Sequence, residues 1–405
     1  MSSTATNDGL RSVQDRLPFD FFERLQAEGE VIWDSGMNAW LATSYDACRE
    51  VGRLDKNVFR HTDFDPNSDF GEMSAGRRSI KALEGEEHRR VHSWMIRSFT
   101  PTKTAHMRDV IVEPVVDELL GDIAGRERVE LTSELLHLIP PRVIASALDL
   151  PWRDRAWMDE GARAIAEVFG FYNLRGLEDR EHLEVAKAAH ARLRQILDPF
   201  LQERRDGTGD DLISQLWHDG PEMLDGWNIE DVYIQLSSLF LGGSHTTTLA
   251  LSNAFYLLLN DDALMQDVRT ADDARLYNFV DQALRVLPPL HWRTRVALED
   301  VEIAGVTIKA GDVVVPLLAA ANHDAGHYAC PHAVDLEQKN PRDHMTFFAG
   351  PTACPGQGLA RTEMFVTLRK MLATYPTLRL DPEADPPAFA GLALRGFLPL
   401  NVLTS

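Results

Sequence analysis

Cysteine is scarce in this chain. Its 405 residues include three (Cys48, Cys330 and Cys354), widely scattered and odd in number, which gives no disulfide framework and fits a reducing, cytoplasmic setting. Positive charge is short as well: 41 Lys and Arg face 62 Asp and Glu, for a formal net charge of −21. That deficit argues against a general electrostatic hold on nucleic acid or on an anionic membrane surface. The stretch Met1 to Asp8 lacks the apolar run of a signal peptide. No Gly/Ser linker, low-complexity segment or internal repeat divides the chain, so residues 1–405 are expected to form one domain. At 44% apolar residues the chain can bury a sizeable core.

Charge of either sign vanishes from Val232 to Asn260. That run is long enough to span a bilayer. Gln235, Ser237, Ser238, Ser244, His245, Thr246, Thr247, Thr248, Ser252 and Asn253 interrupt it too often, and a long helix through a soluble core is the better reading. Asn228 suits its cap, Glu230 and Asp231 its first turn, and Asn260-Asp261-Asp262 its end. Roughly 30 residues at 1.5 Å rise give about 45 Å, enough to cross a domain. A helix is also expected around Phe19 to Ala27, and helical periodicity dominates from Gly85 to about Gln282. Short strands are expected at Val31–Trp33, Trp40–Thr43, Val301–Ile308, Val313–Pro316 and Leu398–Val402. The chain should be mainly helical, with minor sheet at its two ends.

Chemistry concentrates in the loop from Phe347 to Arg361. Glycines and prolines punctuate it, it presents one cysteine, and it runs into a helical stripe of Met364, Phe365, Leu368, Met371 and Leu372. Cys354 thus precedes a helix N-terminus, where unpaired N–H groups and the positive dipole end favour a thiolate. Such a thiolate is a good iron ligand, although a lone cysteine beside a loop is also commonly a small buried hydrophobe. Inside the uncharged helix, Gly242 and Gly243 cost roughly 1 kcal/mol each relative to alanine. Either a flat ligand or bound oxygen lies against that backbone, or another helix packs closely there. His88 and His92 stand four apart on a helix, a metal-ligand spacing, but no Glu follows His88 and no third ligand presents itself.

Phe347, Gly350, Cys354, Gly356 and Leu359-Ala360, at these spacings, resemble the haem-binding loop of the cytochrome P450 superfamily. The resemblance continues through Leu241 to Thr247, which is similar to the oxygen-activation segment. Gly242 and Gly243 match its small-residue positions and Thr246 its threonine, while His245 stands where an acid is usual. The Glu-x-x-Arg pair of the family is Gln282-x-x-Arg285 here, with Asp281 one residue too early to replace the glutamate. Arg295 matches the arginine that meets a haem propionate. The run His88-Arg89-Arg90-Val91-His92 resembles the segment that supplies further propionate donors, with His92 at the usual arginine position. Thr352 replaces a usual His or Arg, and His323 stands where arginine is common.

The resemblance implies a P450 fold, a large helical domain with a smaller β-containing region. It implies haem b with the Cys354 thiolate as axial iron ligand, cradled by Phe347, Gly350, Gly356, Ala360 and Gly243 and by the propionate partners His88, His92 and Arg295. The implied activity is insertion of one oxygen atom from O2 into a small apolar organic substrate, aromatic ones included, by hydroxylation or O-dealkylation. Thr246 and His245 are the implied catalytic pair. Electrons are expected from a separate ferredoxin and ferredoxin reductase or an equivalent donor, docking on Arg89, Arg90, Arg97, Lys103 and Arg361. Family position assigns substrate contacts to Phe64, Phe70, Met73, Phe169, Phe171, Phe240, Leu290, Trp292 and Phe397. A peroxide-driven or oxidative-coupling enzyme, and a haem sensor or carrier without turnover, remain alternatives. The hydroxyls after Gly243 argue against the last.

Overall fold

Alternation along very short strands decides where the sheet residues go. In the computed structural model, which describes residues 17–61, 78–174 and 180–405 and the side chains of these outside 169–182, a five-stranded sheet has the order Val31–Asp34, Ala39–Ala42, Val313–Pro316, Arg295–Ala297, Phe59–His61. Ala39–Ala42 and Val313–Pro316 run parallel and the other neighbours antiparallel. Ala39, Leu41 and Val315 point to one face, packing with Phe21, Phe22, Leu25 and Trp292. Ala42, Val314, Phe59 and Ala297 point to the other, packing with Cys48, Val51 and Phe348. Both faces are therefore covered, which suits strands that read as nearly continuous apolar runs.

The chain divides into two compact units, each drawn from three stretches of sequence. The unit of residues 1–62, 249–354 and 380–401 carries this sheet, and with it the Cys354 loop. The unit of residues 63–248, 355–379 and 402–405 is chiefly helical, including Gly85–Ser98, Pro101–Met107, Glu113–Asp122, Ile139–Ala147 and Leu212–Met223. Its helix starts use ordinary chemistry. Thr100 caps a helix whose first residue is Pro101, and the Asp211 carboxylate accepts from the N–H groups of Ile213 and Ser214.

The uncharged run forms a helix from Ile229 to Leu259, as its composition requires. Asn228 Oδ1 accepts from Glu230 N at 2.9 Å and so caps it. Asp231 is fully buried, accepting from Asn228 N at 2.9 Å and from Arg78 Nη2 at 3.0 Å. Four of the hydroxyls inside the helix donate to the helix itself: Ser238 to Ile234 O, Ser244 to Phe240 O, Thr246 to Gly242 O and Thr248 to Ser244 O. Back-bonding of this kind lets a polar-studded helix run through a core. Among the described residues no helix is long and apolar enough to cross a membrane.

Two expected strands differ from the structure. Val301–Ile308 is a hairpin, because Ala304 and Gly305 both take positive φ (48° and 77°) and reverse the chain. Leu398–Val402 is divided between strands Arg395–Leu398 and Asn401–Leu403, since Pro399 has no N–H for a ladder.

Candidate functional site

Backbone packing shapes the cysteine loop. Gly350 (φ 71°) lies against the end of helix Tyr45–Leu54, and a Cβ there would sit 2.1 Å from the Gly52 carbonyl oxygen. No other residue fits, so Gly350 is required by its contact with Gly52. Phe348 also takes positive φ (59°), turning the chain after the short helix Met345–Phe347. Cys354 N donates to Phe347 O at 2.9 Å, which closes the loop and leaves Cys354 half-buried. The helix Gln357–Thr374 begins just beyond, with Gly356 as a cap that offers no side chain. Its first N–H groups therefore receive no side-chain cap, and the sulfur precedes them along the chain. Ala360 N bonds to Gly356 O in the first turn.

A charged cluster lies beside this loop. Arg295 and Asp55 are both fully buried and meet Nη2 to Oδ2 at 2.7 Å. The same Asp55 oxygen accepts from Thr352 Oγ1 at 2.5 Å. Arg295 Nη1 donates to Thr294 O at 2.9 Å and to His61 Nδ1 at 3.1 Å. A guanidinium has only donors, so His61 Nδ1 is the acceptor. Arg295 Nε is buried without a partner among the described residues. Neither Asp55 nor His61 was visible as a site residue in the sequence: Asp55 lies 240 positions from Arg295.

Arg285 is held without a glutamate. Gln282 Oε1 accepts from its Nε at 3.2 Å and its Nη2 at 3.0 Å. The carbonyls of Asn322, Pro331 and Ala333 take further donors at 3.1, 2.7 and 2.5 Å. Burial pulls the Arg285 pKa down, with Tyr328 and then Asp335 acting the other way. Asp281 points elsewhere, accepting from His344 Nε2 at 3.2 Å. His323, buried, donates Nε2 to Val286 O at 2.8 Å, and burial pushes its pKa down to about 3.

The middle of the long helix is open where a core helix is normally covered. Gly242 is exposed, and a Cβ on it would meet nothing within 4 Å. Gly243 differs: a Cβ there would lie 3.0 Å from Cδ1 of Ile144 on helix Ile139–Ala147. Helix packing thus accounts for Gly243 and leaves Gly242 unexplained by protein contacts. Thr246 is half-buried on the turn after Gly242, its hydroxyl donating to Gly242 O at 2.7 Å. His245 is half-buried as well; burial, and then His137, pull its pKa down to about 4, so the ring is neutral near pH 7.

The remaining expected residues scatter. His88 and His92 are buried on helix Gly85–Ser98 with rings stacked 5.4 Å apart. No group of three metal-binding side chains occurs among the described residues. Trp292 packs in the apolar cluster with Phe21 and Phe22, and Phe397 is buried against Tyr256 and Phe389. Phe240 is buried as well, and these three are each 3% exposed. Leu290 is half-buried and bridges to Leu394. Phe64, Phe70 and Met73 lie outside the described residues, as do the side chains of Phe169 and Phe171. Arg89, Arg90, Arg97 and Lys103 are exposed, but Arg361 is buried with Nη1 on Gln357 Oε1 at 3.0 Å and does not join a surface patch.

Two features of the sheet-bearing unit fit a flat, dianionic iron cofactor: a half-buried cysteine at the end of a glycine-shaped loop, and a buried Arg295 Nε with no partner among the described residues. Comparison with known proteins agrees. The sequence profile described as Cytochrome P450 matches residues 164–398. "Cytochrome P450 GfsF" of Streptomyces halstedii is 30% identical over 362 residues, 87% of this chain and 84% of that protein. "Biotin biosynthesis cytochrome P450" of Bacillus subtilis (strain 168) is 26% identical over 382 residues, covering 94% and 93%. Among solved structures, CYP109E1 from Bacillus megaterium in complex with testosterone superposes with TM-score 0.81 at 25% identity, over 96% of this chain and 99% of that one. P450BioI in complex with a hexadec-9Z-enoic acid-ligated acyl carrier protein gives TM-score 0.86 at 23% identity, over 96% and 98%, a likeness of fold. With the motifs, the fold and a relative at this identity in accord, the chain belongs to the cytochrome P450 family and is a P450 monooxygenase.

Proposed function

We propose that this chain is a cytoplasmic P450 monooxygenase of one haem-bearing domain, which holds haem b through the Cys354 thiolate and oxidises a small apolar organic substrate by hydroxylation or O-dealkylation. The observation that carries the ligand assignment is the placement of Cys354, half-buried after a Gly350–Gly52 backbone contact and immediately before an uncapped helix start. The proposed cradle is the Cys354 loop from Phe347 to Gly356 with Ala360, and Arg295 with His88 and His92 are the proposed partners of the propionates. Haem, when bound, supplies dioxygen binding and the oxidising power.

The chain's own residues do the rest. The loop dipoles stabilise negative charge on sulfur. Gly242 leaves room beside the helix backbone, and the Thr246 hydroxyl offers a donor one turn on. His245, neutral at pH 7, passes a proton only by giving one and taking another through its two nitrogens. Of the expected substrate contacts whose side chains are described, Leu290 is half-buried while Phe240, Trp292 and Phe397 are buried. Exposed Arg89, Arg90, Arg97 and Lys103, on a chain of net charge −21, suit an acidic electron donor such as a ferredoxin served by its reductase. A second reading, peroxide-driven oxidation, draws on the same His245: a ring that is neutral down to about pH 4 is a poorer acid than a carboxylic group. Turnover with reductase and dioxygen against turnover with peroxide separates the two.

Cys354→Ser tests the ligand. The carbon monoxide complex of the reduced variant should lose the absorption band of a thiolate-bound haem. An unchanged spectrum rejects Cys354.

A further inference from the structure

We propose that Asp55 is a built-in counter-ion for Arg295 that loosens this chain's hold on haem and keeps the iron's reduction potential low. The inference rests on the reading that Arg295 meets a haem propionate. Asp55 and Arg295 are both fully buried and form one ion pair at 2.7 Å. The pair has no net charge, so an arriving carboxylate finds an arginine already neutralised. Arg295 Nη2 donates to Asp55 Oδ2 at 2.7 Å and, at a long 3.5 Å, to Thr352 Oγ1, and Nη1 donates to Thr294 O and His61 Nδ1, which leaves Nε. A bidentate grip on a second carboxylate needs two adjacent donors, and Asp55 holds one of them. Thr352 has no donor to spare for a propionate, because its hydroxyl donates to the same Asp55 oxygen at 2.5 Å.

The position also matters for the iron. Thr352 lies two residues before Cys354, so their Cα atoms are at most about 7 Å apart. A buried carboxylate bonded to Thr352 therefore contributes negative charge close to the proposed sulfur ligand. Negative charge in a low-dielectric setting favours the ferric over the ferrous state.

Asp55→Asn supplies the test, with haem transfer to excess apomyoglobin and spectroelectrochemistry as readouts. Haem loss should slow about tenfold, the scale of one charge-assisted hydrogen bond regained by the propionate. The reduction potential should rise. The haem-free variant should unfold at lower denaturant, because Arg295 has lost its partner. A merely structural Asp55 moves stability and haem retention the same way; the proposal requires them to move in opposite directions. Protein loaded with haem dimethyl ester, which has no free carboxylates, should lose its cofactor at the same rate with Asp or Asn at position 55. Unchanged or faster loss of natural haem from the variant overturns the proposal.

Arg295→Gln in the Asp55→Asn background separates the underlying reading. Faster haem loss there keeps Arg295 at the propionate even when the counter-ion idea has failed, and no change removes Arg295 from that role. Thr352→Ala guards against a variant that does not fold. It keeps both charges and frees an Asp55 lone pair for Arg295, a change that outweighs the loss of the long 3.5 Å contact from Arg295 Nη2 to Thr352, so haem loss should quicken about threefold, the scale of a weak hydrogen bond; slower or equal loss counts against the proposal.

Discussion

Gln282→Glu places the family's usual carboxylate beside Arg285, and the structure sets the size of the effect. Arg285 is fully buried and its donors reach one amide oxygen and several carbonyls. Gln282 Nε2 is buried with no partner among the described residues, a defect of about 1–3 kcal/mol that the substitution removes. The new carboxylate inherits three donors, Arg285 Nε, Arg285 Nη2 and Asp335 N. Against this stands desolvation of a buried anion, several kcal/mol before compensation, and repulsion from Asp335. With three donors already aimed, attraction wins by a small margin, and a gain of about 1 kcal/mol is expected. Equilibrium denaturation of the haem-loaded protein at pH 7 measures it. The sign with pH follows from a carboxyl whose folded pKa is depressed by Arg285. Its contribution is complete above the unfolded value, about 4.3, and fades as pH falls through the folded one. A variant less stable than the parent at pH 7 refutes the reasoning, and shows the carbonyl cage already balances the cation.

Gly242→Ala should stabilise the helix by about 1 kcal/mol, since the methyl meets nothing, yet weaken ligand binding as read by haem-band titration. Gly243→Ala should gain less than Gly242→Ala, because Ile144 must shift, and Ile144→Ala should restore the difference in a double-mutant cycle. Thr246→Ala should consume reductant without matching product; tight coupling in that variant removes Thr246 from oxygen activation. His323 is buried with its pKa pushed down to about 3, so the unfolded chain binds a proton more readily between pH 3 and 6.5. Stability from this group is complete above about pH 6.5 and falls as pH drops towards 3. His323→Gln should flatten the acid limb of a stability–pH curve.

Local chemistry was legible in the sequence, and tertiary pairing was not. The Cys354 loop announced itself because Gly350, Pro351, Pro355 and Gly356 leave few backbone paths, and the long helix because charge is absent over a run that still needs capping by Asn228. The departure at Gln282 was visible, as was the direction of Asp281 away from Arg285. What Gly350 packs against was invisible, since Gly52 belongs to a distant helix. Asp55 looked like any helix-end acid until folding set it on Arg295. Aromatic residues are ambiguous for a related reason. Trp292 and Phe397 have the composition of a pocket lining, but sequence does not say which rings already have neighbours on both faces.

The bond from the Thr246 hydroxyl to the Gly242 carbonyl makes that side chain a two-position latch. Its single proton is already committed to the helix, so it reaches any other acceptor only by turning about Cβ–Oγ1 or χ1 and abandoning the carbonyl. Gly242 O would then regain a vacant lone pair where the middle of the helix stands bare. Whatever enters there can offer its own hydrogen to the carbonyl as it receives one from the threonine, and the swing of one small side chain becomes a handshake between visitor and wall.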